Sequence, residues 1–171
     1  LGAEQSGHMA SVGYDLYVKM IEDAVRHLRG DVSQGDIQTK VELKVDAYLP
    51  ADYVTSDVTR VDVYKKIASI RTGEDREDLI EELIDRFGDP SRPVINLIDI
   101  AQLKALCQSV GIDWVGGRTG ELTMRFSPLA SPDLDQLVEA LHPYQGQVRL
   151  RAGKENALIY SQPGKSLEEM L

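Results

Sequence analysis

One cysteine, one tryptophan and two phenylalanines occur in 171 residues, and 28 Asp and Glu outnumber 19 Lys and Arg. Each scarcity excludes something. Cys107 alone forms no internal disulfide and no cysteine-rich zinc site, so the reducing cytoplasm is the expected compartment. A net charge of −9 argues against a chain whose main work is gripping nucleic acid, because phosphate binding calls for a basic surface; a small basic patch stays open. No run approaches the roughly 18–20 apolar residues that span a bilayer, and the first residues lack the basic-then-apolar pattern of a secretion signal. What remains is ordinary: 42% hydrophobic residues, enough for one sizeable core or two small ones. The chain opens at Leu1 rather than methionine and closes on KSLEEML without a helix stop, so it reads as a segment of a larger protein. GHMAS (Gly7 to Ser11) resembles a purification-tag scar, yet it continues smoothly from LGAEQS and is read as native.

Apolar residues from Val12 to Leu28 recur at helical spacing, with Ser11 placed to cap the helix and Gly30 to end it. The polar, glycine-containing stretch from Gly30 to Lys40 reads as a linker. VELKVDAYL then alternates, predicting a half-buried strand or an extended arm lying across another surface, ended by Pro50. Three helices follow, over about 57–70, 74–87 and 92–110, separated by Thr72-Gly73 and Gly88-Asp89-Pro90. In the second, Leu79, Ile80, Leu83, Ile84 and Phe87 form one apolar stripe; the third is apolar around most of its circumference, Leu106 and Val110 included, and is the expected core helix. The last third changes period: a short strand at Ile112 to Val115, a glycine-rich turn at Gly116 to Gly120 and an alternating strand at ELTMRFS predict a hairpin. A short helix over Asp133 to His142, capped by Ser131, turns Leu134, Leu137, Val138 and Leu141 inward, and two strands, VRLRA and NALIYS, follow across Gly153-Lys154. The expected fold is α+β: a helical half, then a β-β-α-β-β unit with a small antiparallel sheet.

Strings that hint at chemistry have plainer readings. Gln162-Pro-Gly-Lys-Ser166 ends like a phosphate-binding loop, but that loop needs a glycine where Ile159 stands, so it reads as a turn before a helix. His8, His27 and His142 lack metal-ligand spacing, and no catalytic or metal site is expected. Cys107, beside Lys104 alone among basic residues, reads as a core side chain rather than a nucleophile. Gly116 to Glu121 has the composition of an anion cradle, yet hairpin turns use the same residues far more often.

Charge is more informative. The second helix carries Glu74, Asp75, Glu77, Asp78, Glu81, Glu82 and Asp85, with Asp89 just beyond, against Arg76 and Arg86. Acids in the first turn suit the helix dipole; Glu81, Glu82 and Asp85 lie too far along for that. Glu82 and Asp85, three apart, repel unless something positive sits opposite. The face is therefore either simply solvated or a docking face for a basic partner. Arg149 and Arg151, two apart on a strand, with Lys154 in the next turn, form a candidate contact for phosphate or an acidic partner.

LGAEQSGHMASVGYDLY resembles the segment after the last helicase motif of the bacterial transcription-repair coupling factors (Mfd), translocases related to the RecG helicase. TRVDVYKKIASI, ELIDRFGDP and LIDIAQLKALCQSVGI resemble that family's C-terminal domain, in the right order. The resemblance implies that 1–30 is the tail of the translocase module, 31–40 a linker and 41–171 a C-terminal regulatory domain. It also implies a parent that uses ATP and Mg to move along double-stranded DNA, removes stalled RNA polymerase and recruits the excision-repair ATPase UvrA through a UvrB-like module. The C-terminal domain would be an autoinhibitory clasp on that module, with Glu82, Asp85 and Glu81 as its acidic contacts, and Gln5 would be a remnant of the translocation motif. Without the motors, this segment is expected neither to hydrolyse ATP nor to bind UvrA. The alternative is an accessory domain contacting DNA beside the motor through Arg149, Arg151 and Lys154; a free-standing enzyme is a third reading and needs a pocket of perturbed titratable groups.

Overall fold

The structure, a computed structural model, describes residues 37–130 and 134–171. The helix read at Val12 to Leu28, the Ser11 and Ser131 caps, Gln5, His8 and His27 lie outside the described residues, as does the Leu134 side chain. Within the described residues there are two compact units, one formed by 46–102 and the other by 37–45 with 103–130 and 134–171.

The helical unit holds α1 (Asp57–Ser69), α2 (Gly73–Phe87) and the first part of α3 (Arg92–Ser109). Local chemistry sets each boundary. The Ser56 hydroxyl accepts from Thr59 N–H at the start of α1, and Thr72 and Asp75 form a reciprocal capping box at the start of α2. Gly88 ends α2 at φ +82°, a conformation natural to glycine, with its N–H donating to the Ile84 carbonyl at 2.9 Å. Val63, Ile67, Leu83, Val94, Leu97 and Ile98 are each 0–1% exposed and anchor one apolar core. Asn96, fully buried among them, donates from Nδ2 to the Asp46 carbonyl at 2.9 Å, and Arg60 donates to the Leu49 carbonyl at 3.1 Å. These bonds hold the arm at Asp46 to Leu49, whose Leu49 side chain enters the core.

The sheet unit is a five-stranded sheet in the order β1-β2-β3-β5-β4, from β1 (Lys40–Glu42), β2 (Ile112–Arg118), β3 (Glu121–Phe126), β4 (Val148–Arg151) and β5 (Ala157–Ser161). α4 (Leu134–Leu141) lies between β3 and β4, and α5 (Leu167–Met170), opened by a Ser166–Glu169 capping box, follows β5. Val115, Phe126 and Leu158 point to the core face with Cys107 of α3, while Leu137 and Leu141 of α4 pack beside them.

The α+β expectation holds, with four local corrections. The sheet is mixed, because β1 joins β2 in parallel. β2 runs on through Gly116 and Gly117, so the turn of the hairpin is only Thr119 and Gly120. Val138, expected inward, is 67% exposed. Ile84, Leu106 and Val110 are likewise exposed, since α2 and the last turns of α3 are covered on one side only. Between Val41 and Leu49 the alternation survives as alternating burial, although only Lys40 to Glu42 is strand and the rest is an extended arm.

Candidate docking face

Acid is concentrated in the helical unit: residues 46–102 carry 13 Asp and Glu against 7 Lys and Arg, whereas 103–171 carry 8 against 7. Most of the excess lies on α2. With Leu79 and Leu83 buried, the helical repeat puts Glu74, Glu77, Asp78, Glu81 and Asp85 on the outer face, and all are exposed. Ile84, assigned by sequence to the inner stripe, breaks this face at 41% exposure, one apolar side chain among acids.

The three candidate contacts are not equivalent. Glu82 sits at the flank towards α1, where Lys66 Nζ lies 2.6 Å and Arg86 Nη1 2.5 Å from its Oε1. Lys66 first and Arg86 second hold its carboxyl below the usual range. Something positive therefore does sit opposite, supplied by the domain itself. The i,i+4 spacing to Arg86 is readable in sequence; the approach of Lys66 from α1 is a product of tertiary packing. Glu81 and Asp85, one turn apart at the centre of the outer face, have no hydrogen bond or ion pair among the described residues.

The helix that presents them is firmly held. Asp75 accepts from the N–H groups of Arg71 and Thr72, both at 2.9 Å, and these bonds lower its pKa. Arg76 Nε donates to Asp99 of α3 at 2.7 Å, with the Asp99 side chain only 12% exposed. At the other end the Tyr53 hydroxyl donates to the Gly88 carbonyl at 2.8 Å, while its ring packs on Phe87.

Glu82→Gln should lower stability by about 0.5–1 kcal/mol at neutral pH, the upper range for an exposed ion-pair cluster. Because the folded carboxyl titrates below its ordinary 4.5, the contribution is present above that value and disappears as pH falls through the lower folded value. Urea denaturation of both proteins at about pH 7 and at successively lower pH checks this: the difference should shrink as the pH falls below 4.5.

The other candidates lie in the sheet unit. Arg149 of β4 donates to Glu121 at 3.1 Å, and Arg151 and Lys154 are exposed. Cys107 is 3% exposed and its thiol is pushed up to about 11 by burial, as suits a core side chain. The two phosphate-like strings meet each other: Gly120 N–H donates to the Lys165 carbonyl at 2.8 Å, and Gln162 N–H donates to the Gly120 carbonyl at 2.9 Å. The Gly120 N–H that an anion would need is thus already paired. Among the described residues no group of three His, Cys, Asp or Glu is placed to hold a metal, and no helix is long and apolar enough to cross a membrane.

Residues 43–137, more than half of the chain, match the family model described as the TRCF domain. The chain belongs to the transcription-repair coupling factor family. A transcription-repair-coupling factor of Bacillus subtilis is 30% identical over 175 residues, covering all of this chain and 15% of that protein. One of Escherichia coli is 42% identical over 117 residues, covering 66% of this chain and 10% of that protein. The chain thus spans a small fraction of the relatives it matches. A crystal structure of the C-terminal domain of transcription-repair coupling factor superposes with a TM-score of 0.67 at 27% identity, covering 78% of this chain and 86% of that one. The described fold is therefore the family's C-terminal domain.

Proposed function

We propose that this chain is the regulatory C-terminal part of a protein acting in transcription-coupled nucleotide excision repair. In this reading the acidic face of α2 clasps a UvrB-like module of the same protein and masks its UvrA-binding surface. The observation that carries the reading is the outer face itself: Glu81 and Asp85, without internal partners among the described residues, on a helix capped and pinned at both ends. A rigid row of carboxylates suits a basic surface, and charge-assisted contacts there contribute about 1.5–3 kcal/mol each. Glu82 contributes by sharing its carboxylate between Lys66, Arg86 and the partner's cation.

Tethering within one polypeptide gives an effective concentration of about a millimolar, so a weak contact keeps the clasp mostly shut while a change of geometry elsewhere opens it. The segment itself has no catalytic role in this reading. ATP and Mg belong to the motor of the whole protein, which moves on double-stranded DNA and displaces stalled RNA polymerase. Residues 1–30, with Gln5, are the tail of that motor, 31–40 the linker and 41–171 the regulatory domain.

Calorimetric titration of this chain against the separately expressed UvrB-like module, with UvrA as competitor, tests the proposal. UvrA should displace the chain, and Glu81→Ala with Asp85→Ala, or Glu82→Ala with Asp85→Ala, should weaken binding by at least about tenfold. Equal loss from both pairs makes the whole face the contact; greater loss from the first places it at the centre. Binding unchanged by either pair would sink the assignment to α2.

A further inference from the structure

β4 is the last strand of the sheet, and among the described residues no strand pairs with its outer edge. The Ser161 N–H donates to the Gln147 carbonyl at 2.7 Å. Ladder alternation then makes Arg149–Ile159 and Arg151–Ala157 the hydrogen-bonded pairs and turns the N–H and C=O of Leu150 away from the sheet. Val148 is bridged to Gln145, which marks where the open edge begins.

Side chains give this edge a character. Leu150 lies on the core side of the sheet, 49% exposed, whereas Arg149 and Arg151 lie on the opposite side. Arg149 pairs with Glu121; Arg151 and Lys154 are exposed with no acid partner among the described residues. Two copies of β4 laid edge to edge would bring arginines against arginines, so the edge opposes its own pairing. An added strand with acids at alternate positions would face Arg149 and Arg151, and its intervening apolar side chains would cover Leu150.

We propose that β4 is a docking edge for an extended acidic–apolar segment of a partner protein, bound as a further strand of the sheet. This surface is separate from α2 and does not depend on the clasp. Duplex DNA is the poorer occupant of the same residues. Phosphates accept hydrogen bonds only and leave the outward carbonyl of Leu150 unused, and Glu121 beside Arg149 repels them.

Fluorescence anisotropy with the full chain tests this, using a labelled peptide alternating Glu and Val, a scrambled peptide of the same composition, and a duplex DNA. The alternating peptide should bind at least about tenfold tighter than the scrambled one, and Arg151→Glu should remove about tenfold of that affinity. Leu150→Pro deletes an N–H that bonds to nothing in the sheet and should abolish binding with the fold retained. Should that variant fail to fold, hydrogen exchange on the unaltered chain decides: the peptide should slow exchange at the Leu150 amide. Equal affinity for the scrambled peptide, unchanged exchange at Leu150, or binding of DNA without the peptide would each overturn the proposal.

Discussion

Leu83→Ala should destabilise the helical unit by about 2–5 kcal/mol, the usual range for emptying a packed leucine site. Leu83 is 0% exposed and lies in one cluster with Val63, Ile67, Leu79, Leu97 and Ile98, drawn from all three helices of its unit. Removing its branched end leaves a void that capped, ion-paired helices cannot readily collapse into. At a urea m-value of about 2 kcal/mol/M, the midpoint followed by far-UV circular dichroism should fall by about 1–2.5 M. The neighbouring residue is the internal control. Ile84 is 41% exposed on the acidic face, so Ile84→Ala should change stability by no more than about 0.5–1 kcal/mol. Comparable losses at the two positions would mean that α2 is rotated from the orientation described, and Glu81 would then no longer stand at the centre of its outer face.

That contrast shows how far sequence reasoning reaches. Period and punctuation locate α1, α2 and α3 within a residue or two, because Ser56, Thr72 and Gly88 act locally on the backbone next to them. Periodicity does not tell Leu83 from Ile84: a stripe has a width, and where burial stops depends on the neighbour packed against it. The same limit applies to Leu106, Val110 and Val138, apolar residues at helical spacing on sides that nothing covers. Strand β1 is harder still. Its alternation is plain, but its parallel pairing with β2 joins residues more than 70 positions apart, as in the 2.6 Å bond from the Thr39 hydroxyl to the Ile112 carbonyl. No local signal encodes such a partner.

The candidate face is legible in part for the same reason. An excess of acid over more than one helical turn is a property of the string, so α2 stands out from its residues alone. Which of its acids are already engaged is a property of packing. Lys66 reaches Glu82 from a different helix, 16 positions away, while Glu81, one residue earlier, points about 100° around the axis and meets nothing described. Sequence spacing favours Glu82 with Asp85; geometry makes Glu81 with Asp85 the pair open to a partner. Comparing the Glu81/Asp85 and Glu82/Asp85 double variants separates these possibilities.

Gly116→Val should unseat Trp114 and with it the edge of the sheet. Gly116 follows a bulge in β2 that turns Trp114 onto the outer side, and the indole lies across the glycine: a Cβ there would fall inside contact distance of Cη2 and Cζ2. The ring is fixed from two sides, its Nε1–H donating to Glu42 of β1 at 2.7 Å and Arg125 lying 5.8 Å from its centroid. Glu42 is held ionised by Lys40 and this indole, so losing the ring removes part of what ties β1 to the sheet. A valine cannot share the space, and overpacking of this kind costs about 1–3 kcal/mol. Trp114 is the sole tryptophan, so its emission reports the displacement without interference: the maximum should shift to longer wavelength, and the amides of Lys40 to Glu42 should exchange faster. Gly153→Val, at a turn where an added Cβ meets nothing within 4 Å, should leave both readouts unchanged. Unaltered emission in the Gly116 variant, at undiminished stability, would show that the indole stands off the strand and that Trp114 does not clamp β1.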